Sequence, residues 1–154
     1  MRIKKGFSLI EVFFALTIMG MICVLVCGVF VHGIDALKKS RYRVVAINIA
    51  DKKFSELRYL LSSTYLNTIS ATDLQSSIEG TDTVSAGFNW TPPCSVTISG
   101  KETVDRKVYS FTINVKDYTG INDLKKVDIS ISWGEAGTTH HVDISSYIAK
   151  SRED

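Results

Sequence analysis

Cysteine is scarce in this 154-residue chain, and its placement argues against a disulfide-stapled exported domain. Of the three cysteines, Cys23 and Cys27 fall one helical turn apart inside an apolar run, where geometry disfavours a bridge. Cys94 is then left without a mate, although an odd thiol could pair between chains. An excess of charge is also missing. The 18 basic and 16 acidic residues are spread along the chain, so there is no polyanion-binding footprint and nucleic acid is not an expected partner. Lys101, Arg106, Lys107, Lys125 and Lys126 fall in neighbouring turns and read as a solvated face. Catalytic motifs are absent as well: the sequence holds no HExxH, CxxC, P-loop or GxSxG pattern, and Cys94 has no visible base to activate it. His140 and His141 adjoin in a predicted strand, point to opposite faces, and cannot chelate one ion together without a bulge. His32 lies far away in the apolar run. No catalytic residue, metal site or cofactor is therefore expected, and the chain reads as something other than an enzyme. Its length leaves room for one modest folded domain and one membrane-length element.

Charge is wholly missing from residues 12–31, where Leu, Ile, Val, Phe, Met and Cys dominate. About 20 such residues span a bilayer core of roughly 30 Å, so this is a transmembrane helix candidate. A secretory signal peptide would share the basic start (Arg2, Lys4, Lys5), but its apolar region would run only about 7 to 15 residues before a small-x-small cleavage site. Lipoprotein anchoring through Cys23 or Cys27 is disfavoured by the bulky Ile22 and Val26 that precede them. Orientation stays open on charge alone, since Lys38, Lys39, Arg41 and Arg43 follow the span as Arg2, Lys4 and Lys5 precede it. The anomaly is Glu11, a lone carboxylate near the start of an otherwise apolar helix. At a bilayer centre it would cost about 2.5 to 3.5 kcal/mol. It could equally sit one turn from the end, where it snorkels to the headgroups or caps the helix N-terminus.

The stretch KKGFSLIEVFFALTIMG, residues 4–20, resembles the processing site of type IV prepilins and of the pseudopilins of type II secretion systems. In that family a short basic leader ends in glycine, phenylalanine often follows, and a glutamate is fifth in the mature chain. Here these are Lys4 and Lys5, Gly6, Phe7 and Glu11. The resemblance implies cleavage between Gly6 and Phe7 by a prepilin peptidase, a membrane aspartyl protease, with Lys5 holding the leader on the cytoplasmic side. It also implies N-methylation of the new Phe7 terminus. Glu11 becomes the counter-charge for the terminal amine of a neighbouring subunit, and hence a register device for assembly. The partners implied are other pilin or pseudopilin subunits, the peptidase and the membrane. The protein would be a single-pass inner-membrane precursor with an exported C-terminal domain, later part of a cell-surface or periplasmic filament.

Beyond the membrane segment, Val44, Ile47, Ala50, Phe54, Leu57 and Leu61 recur at three- and four-residue steps and predict an amphipathic helix. Residues 62–93 are rich in Ser, Thr, Asn, Asp and Gly and read as a long connection, with one short helical turn at 72–78. Phe88 and Trp90 would tack it to the folded head rather than bind a ligand. After Pro93 the period changes to two, and strands are predicted at 95–99, 108–118, 126–133 and 140–148. Turns are expected at Gly100 to Asp105, at Thr119-Gly120 with Asn122-Asp123, and at Gly134 to Gly137. The fold class is α+β: a long N-terminal helix, transmembrane then amphipathic, packed on a four-stranded antiparallel sheet in the pilin manner. The organisation is a leader at 1–6, a filament-core helix at 7–34 and a globular head at 35–154. A finer resemblance, carried by residues 46–58 and by the ISW strand, glycine turn and closing Ser146-Tyr147-Ile148, is to the minor subunits of the PilV and general secretion pathway I groups. The chain departs from many major pilins in lacking a proline midway along the helix and a C-terminal cysteine pair, so Gly20 and Gly28 are the expected points of softening. The function implied is a structural assembly subunit; the alternative is a bitopic, membrane-anchored exported binding module.

Overall fold

The computed structural model describes residues 8–63, 68–135 and 137–150. One helix dominates the N-terminal part: α1 (Leu9–Ser63) begins where the Ser8 carbonyl accepts the N–H groups of Glu11 at 3.0 Å and Val12 at 3.3 Å. That places Ser8 at the cap, with Glu11 three residues on in the favourable negative position of the first turn. No proline interrupts the segment, and α1 is continuous through Gly20 and Gly28. The chain divides into two compact units, one through Tyr42 and one from Arg43, and α1 contributes to both.

In the second unit the helix buries Ala46, Ile49, Ala50, Lys53, Leu57 and Leu61. The periodicity is the expected one but its phase is turned. Val44 is 53% exposed, and Ile47 and Phe54 are only half-buried. Hydrophobicity alone misplaced the stripe because one of its central positions is a lysine.

The expected α+β arrangement is present, with five strands in the main sheet rather than four. These are β2 (Thr81–Val84), β4 (Ser95–Val104), β5 (Lys107–Tyr118), β6 (Ile121–Glu135) and β7 (Thr138–Ala149), all antiparallel, in the order β2-β4-β5-β6-β7. One face carries the core: Val96 and Ile98, then Tyr109, Phe111, Ile113 and Val115, then Val127, Ile129, Ile131 and Trp133 are all buried. Register locks them together, with Phe111 opposite Ile131 and Ile113 opposite both Ile98 and Ile129. The fifth strand, β2, lies inside the stretch read as a connection. Its four residues hold a single apolar side chain, too short a run to show a period. Beside it, β1 (Thr68–Ile69) and β3 (Phe88–Asn89) pair as a two-stranded ribbon. The expected helical turn is α2 (Ala71–Ser77), capped by Ser70, whose Oγ accepts the Asp73 N–H at 3.1 Å.

The turns are tighter than expected. Gly100 lies within β4, and the chain reverses at Asp105 and Arg106, both with positive φ (51° and 63°), between the paired Val104 and Lys107. Two left-handed central residues are what a two-residue hairpin needs to match the strand twist. Likewise Asn122-Asp123 and Gly134-Glu135 are strand residues of β6.

Candidate assembly helix and the ties of the head

The residues singled out by sequence fall into two groups. Lys4, Lys5, Gly6 and Phe7 lie outside the described residues. Glu11 is exposed in the first turn of α1. The helix that follows is apolar on every side, and its large apolar side chains from Leu9 to Leu37 are exposed. Leu9 is 88% exposed, Val29 73% and Phe30 67%. A contiguous apolar surface of this size is not left in water by a stable soluble protein; it calls for lipid or for other apolar helices. By length and composition α1 can cross a membrane. Cys23 and Cys27 are exposed on this same segment.

In the head the residues considered for chemistry are placed apart. Cys94 is buried. His140 stacks on Trp133, with ring centroids 5.8 Å apart, and approaches Glu135 at 3.9 Å, while His141 approaches Asp143 at 3.9 Å. Among the described residues no group of three His, Cys, Asp or Glu is arranged to hold a metal ion. Phe88 and Trp90 are both buried, edge to face at 5.1 Å, as fasteners of the connection.

Two buried lysines, unforeseen in the sequence, hold the connection to the head. Lys53 is fully buried in the helix stripe, where its Nζ donates to the Glu79 carbonyl at 2.5 Å, lies 3.3 Å from carboxylate oxygens of Glu56 and Glu102, and stands over the Phe111 ring at 5.1 Å. Its neighbour Lys52 bridges Glu79 at 2.8 Å and Glu102 at 3.1 Å. Those hydrogen bonds raise the Lys52 pKa well above its ordinary value and lower that of Glu79. Lys125, expected on a solvated face, is instead fully buried: it donates to the Trp90 carbonyl at 2.9 Å and to Asp117 Oδ1, while Asp117 Oδ2 accepts the Cys94 N–H at 2.6 Å. Burial pushes the Asp117 carboxyl upward, but the bonds from Lys125 and Cys94 outweigh it and hold the group below the usual carboxylate range. Each buried ammonium finds a backbone carbonyl and at least one carboxylate, the condition under which such a charge is tolerated. The available signal was a lysine on the apolar side of each pattern: Lys53 three residues after Ala50 and four before Leu57, and Lys125 two before Val127.

These ties form a scaffold, and no cleft lined with converging reactive groups accompanies them among the described residues. In comparisons with known proteins, no protein-family model, no curated protein and no solved structure matches this chain.

Proposed function

We propose that this chain is a prepilin-like assembly subunit, a minor pilin or pseudopilin of a type IV pilus or type II secretion-like filament. The observation that carries the reading is the combination of Gly6-Phe7 and Glu11 with an unbroken helix whose large apolar side chains from Leu9 to Leu37 are unburied. Such a helix gains its stability from surroundings, first a bilayer and then the packed core of a filament. A carboxylate one turn from its start is costly in either setting unless a cation meets it. Cleavage between Gly6 and Phe7 supplies that cation, since the new terminus places an ammonium close to Glu11 on the next subunit. The head, an antiparallel sheet backed by the second half of α1, is the part a pilin-like subunit would export. Its role in this reading is structural, with no catalysis.

The test is intact-mass and N-terminal peptide analysis of the chain expressed with and without a prepilin peptidase. A peptidase-dependent N-terminus at Phe7 bearing one methyl group is expected, and Gly6 substitution should leave an unprocessed, membrane-retained precursor. An unchanged Met1 terminus, or cleavage beyond the apolar run, would overturn the reading.

A further inference from the structure

The edge of the main sheet at β7 is built as a pairing surface. Among the described residues, β7 has β6 on one side and no strand of the sheet on the other. Its 12 residues keep register with β6 from Ala149 opposite Leu124 to Thr138 opposite Glu135, without a bulge. Edge strands are commonly protected by proline, lysine, bulges or shortness. β7 has none of these; Asp143 is its sole Asp, Glu, Lys or Arg.

The hydrogen-bonding phase of this edge follows from one bond. The Lys150 N–H donates to the Asp123 carbonyl at 2.8 Å, in register with the ladder beyond it. The even-numbered residues of β7 thus turn their backbone groups toward β6, and the odd-numbered ones, Thr139 to Tyr147, turn theirs outward. An antiparallel partner must bond to those odd residues. The side chains on the same positions include His141 and Asp143, 70% and 65% exposed.

We infer that β7 pairs antiparallel with β7 of a second copy of this chain, about a two-fold axis through Val142, joining the two sheets edge to edge. In this register each His141 stands opposite the partner's Asp143 in a hydrogen-bonded pair, and Val142 meets its own twin in the close, non-bonded position. A shift to an axis through Asp143 would set two carboxylates face to face, which is repulsive. An axis through Ile144 would leave Asp143 opposite Ser145 and separate the carboxylate from the imidazole. The match of an imidazole N–H donor with a carboxylate acceptor on both sides of the axis thus selects both the occupant and the register. The inference is independent of the filament reading.

Site-specific oxidation of the full-length chain in membranes tests it, with Cys23 and Cys27 replaced by alanine. Val142→Cys should give a disulfide-linked dimer as the major species on non-reducing gels, because twin residues at a close pair are about 4.5 Å apart between Cα atoms, within disulfide range. Thr112→Cys, in the middle of the sheet, should stay monomeric and so report any dimer driven by the apolar helix alone. Asp143→Lys in the Val142→Cys background should lose the dimer, and the exchange of the two side chains in His141→Asp with Asp143→His should restore it. If Val142→Cys cross-links no better than Thr112→Cys, or if Ile144→Cys is the efficient position instead, the pairing assigned here is wrong.

Discussion

At the scale of single residues, the head depends on charges placed where the hydrophobic pattern leads one to expect a carbon chain. Lys125 is the clearer case. Its ammonium is enclosed, and its charged partner is Asp117, whose side chain keeps 27% of its exposure. Because the carboxyl is held below its ordinary range in the fold, the stability it contributes is present above the unfolded pKa of about 3.9 and is lost as pH falls through the lowered folded value. The head should accordingly weaken progressively below about pH 4. Asp117→Asn should flatten that decline, since nothing at that position remains to be protonated. A residual slope is expected from Asp128, held low by Ser145 and Lys126, and from Glu79. At neutral pH the same variant should lose about 2 kcal/mol, below the usual range for an opened buried pair because Asp117 is partly solvated. Urea unfolding of the full chain in detergent, followed by the buried Trp90 and Trp133 between pH 2.5 and 7, measures both effects. Equal acid slopes in the two proteins would remove Asp117 from this role.

At the scale of elements, the legible parts were those whose period is sustained. Tyr109 to Val115 and Val127 to Trp133 alternate over seven residues each, and both are central strands with the predicted faces buried. The unbroken apolar run of α1 was equally plain. What escaped depends on contacts between distant segments. β2 owes its existence to β4, and the glycine taken for a turn, Gly100, is in fact the point at which the two backbones meet. A Cβ on Gly100 would stand 2.0 Å from the Gly80 carbonyl oxygen, 2.8 Å from Thr81 Cα and 2.7 Å from Phe111 Cζ. Two of these atoms are backbone, so β2 would have to lift from the sheet. Gly100→Ala is expected to cost about 3 kcal/mol, the upper part of the range for overpacking a core. It should also raise amide exchange along Thr81–Val84 before the rest of the sheet. Gly134→Ala is the control, with nothing within 4 Å of the added methyl, and should be neutral or slightly stabilising. Comparable midpoints for the two variants would mean that β2 is not clamped at Gly100. The phase of the amphipathic helix escaped for a related reason: Lys53 is buried by its partners on Glu79 and Glu102, which no local pattern announces.

At the scale of the whole molecule, the two units are stabilised by different means, and this allows assembly to be tested apart from folding. The head has its own core and its buried ties, whereas the N-terminal unit presents apolar side chains, with Glu11 as the acidic residue in the first turn of α1. If Glu11 meets the Phe7 ammonium of a neighbour, removing it leaves that ammonium unpaired in an apolar surrounding. The expected penalty of about 3 to 5 kcal/mol is a loss of a hundredfold or more in association. Glu11→Ala should therefore still be cut at Gly6, and should keep the wild-type unfolding midpoint of the head, since the substitution lies outside the unit that carries that core. It should nevertheless fail to enter filaments. Glu11→Gln separates charge from shape: it retains length and hydrogen-bonding groups, yet should fail as Glu11→Ala does. Co-sedimentation of each variant with sheared filaments, beside its peptidase processing in the same cells, measures the two steps separately. Incorporation of Glu11→Gln at the wild-type level would show that the carboxylate does not set the register, and Glu11 would then be serving the start of its own helix, three residues after Ser8.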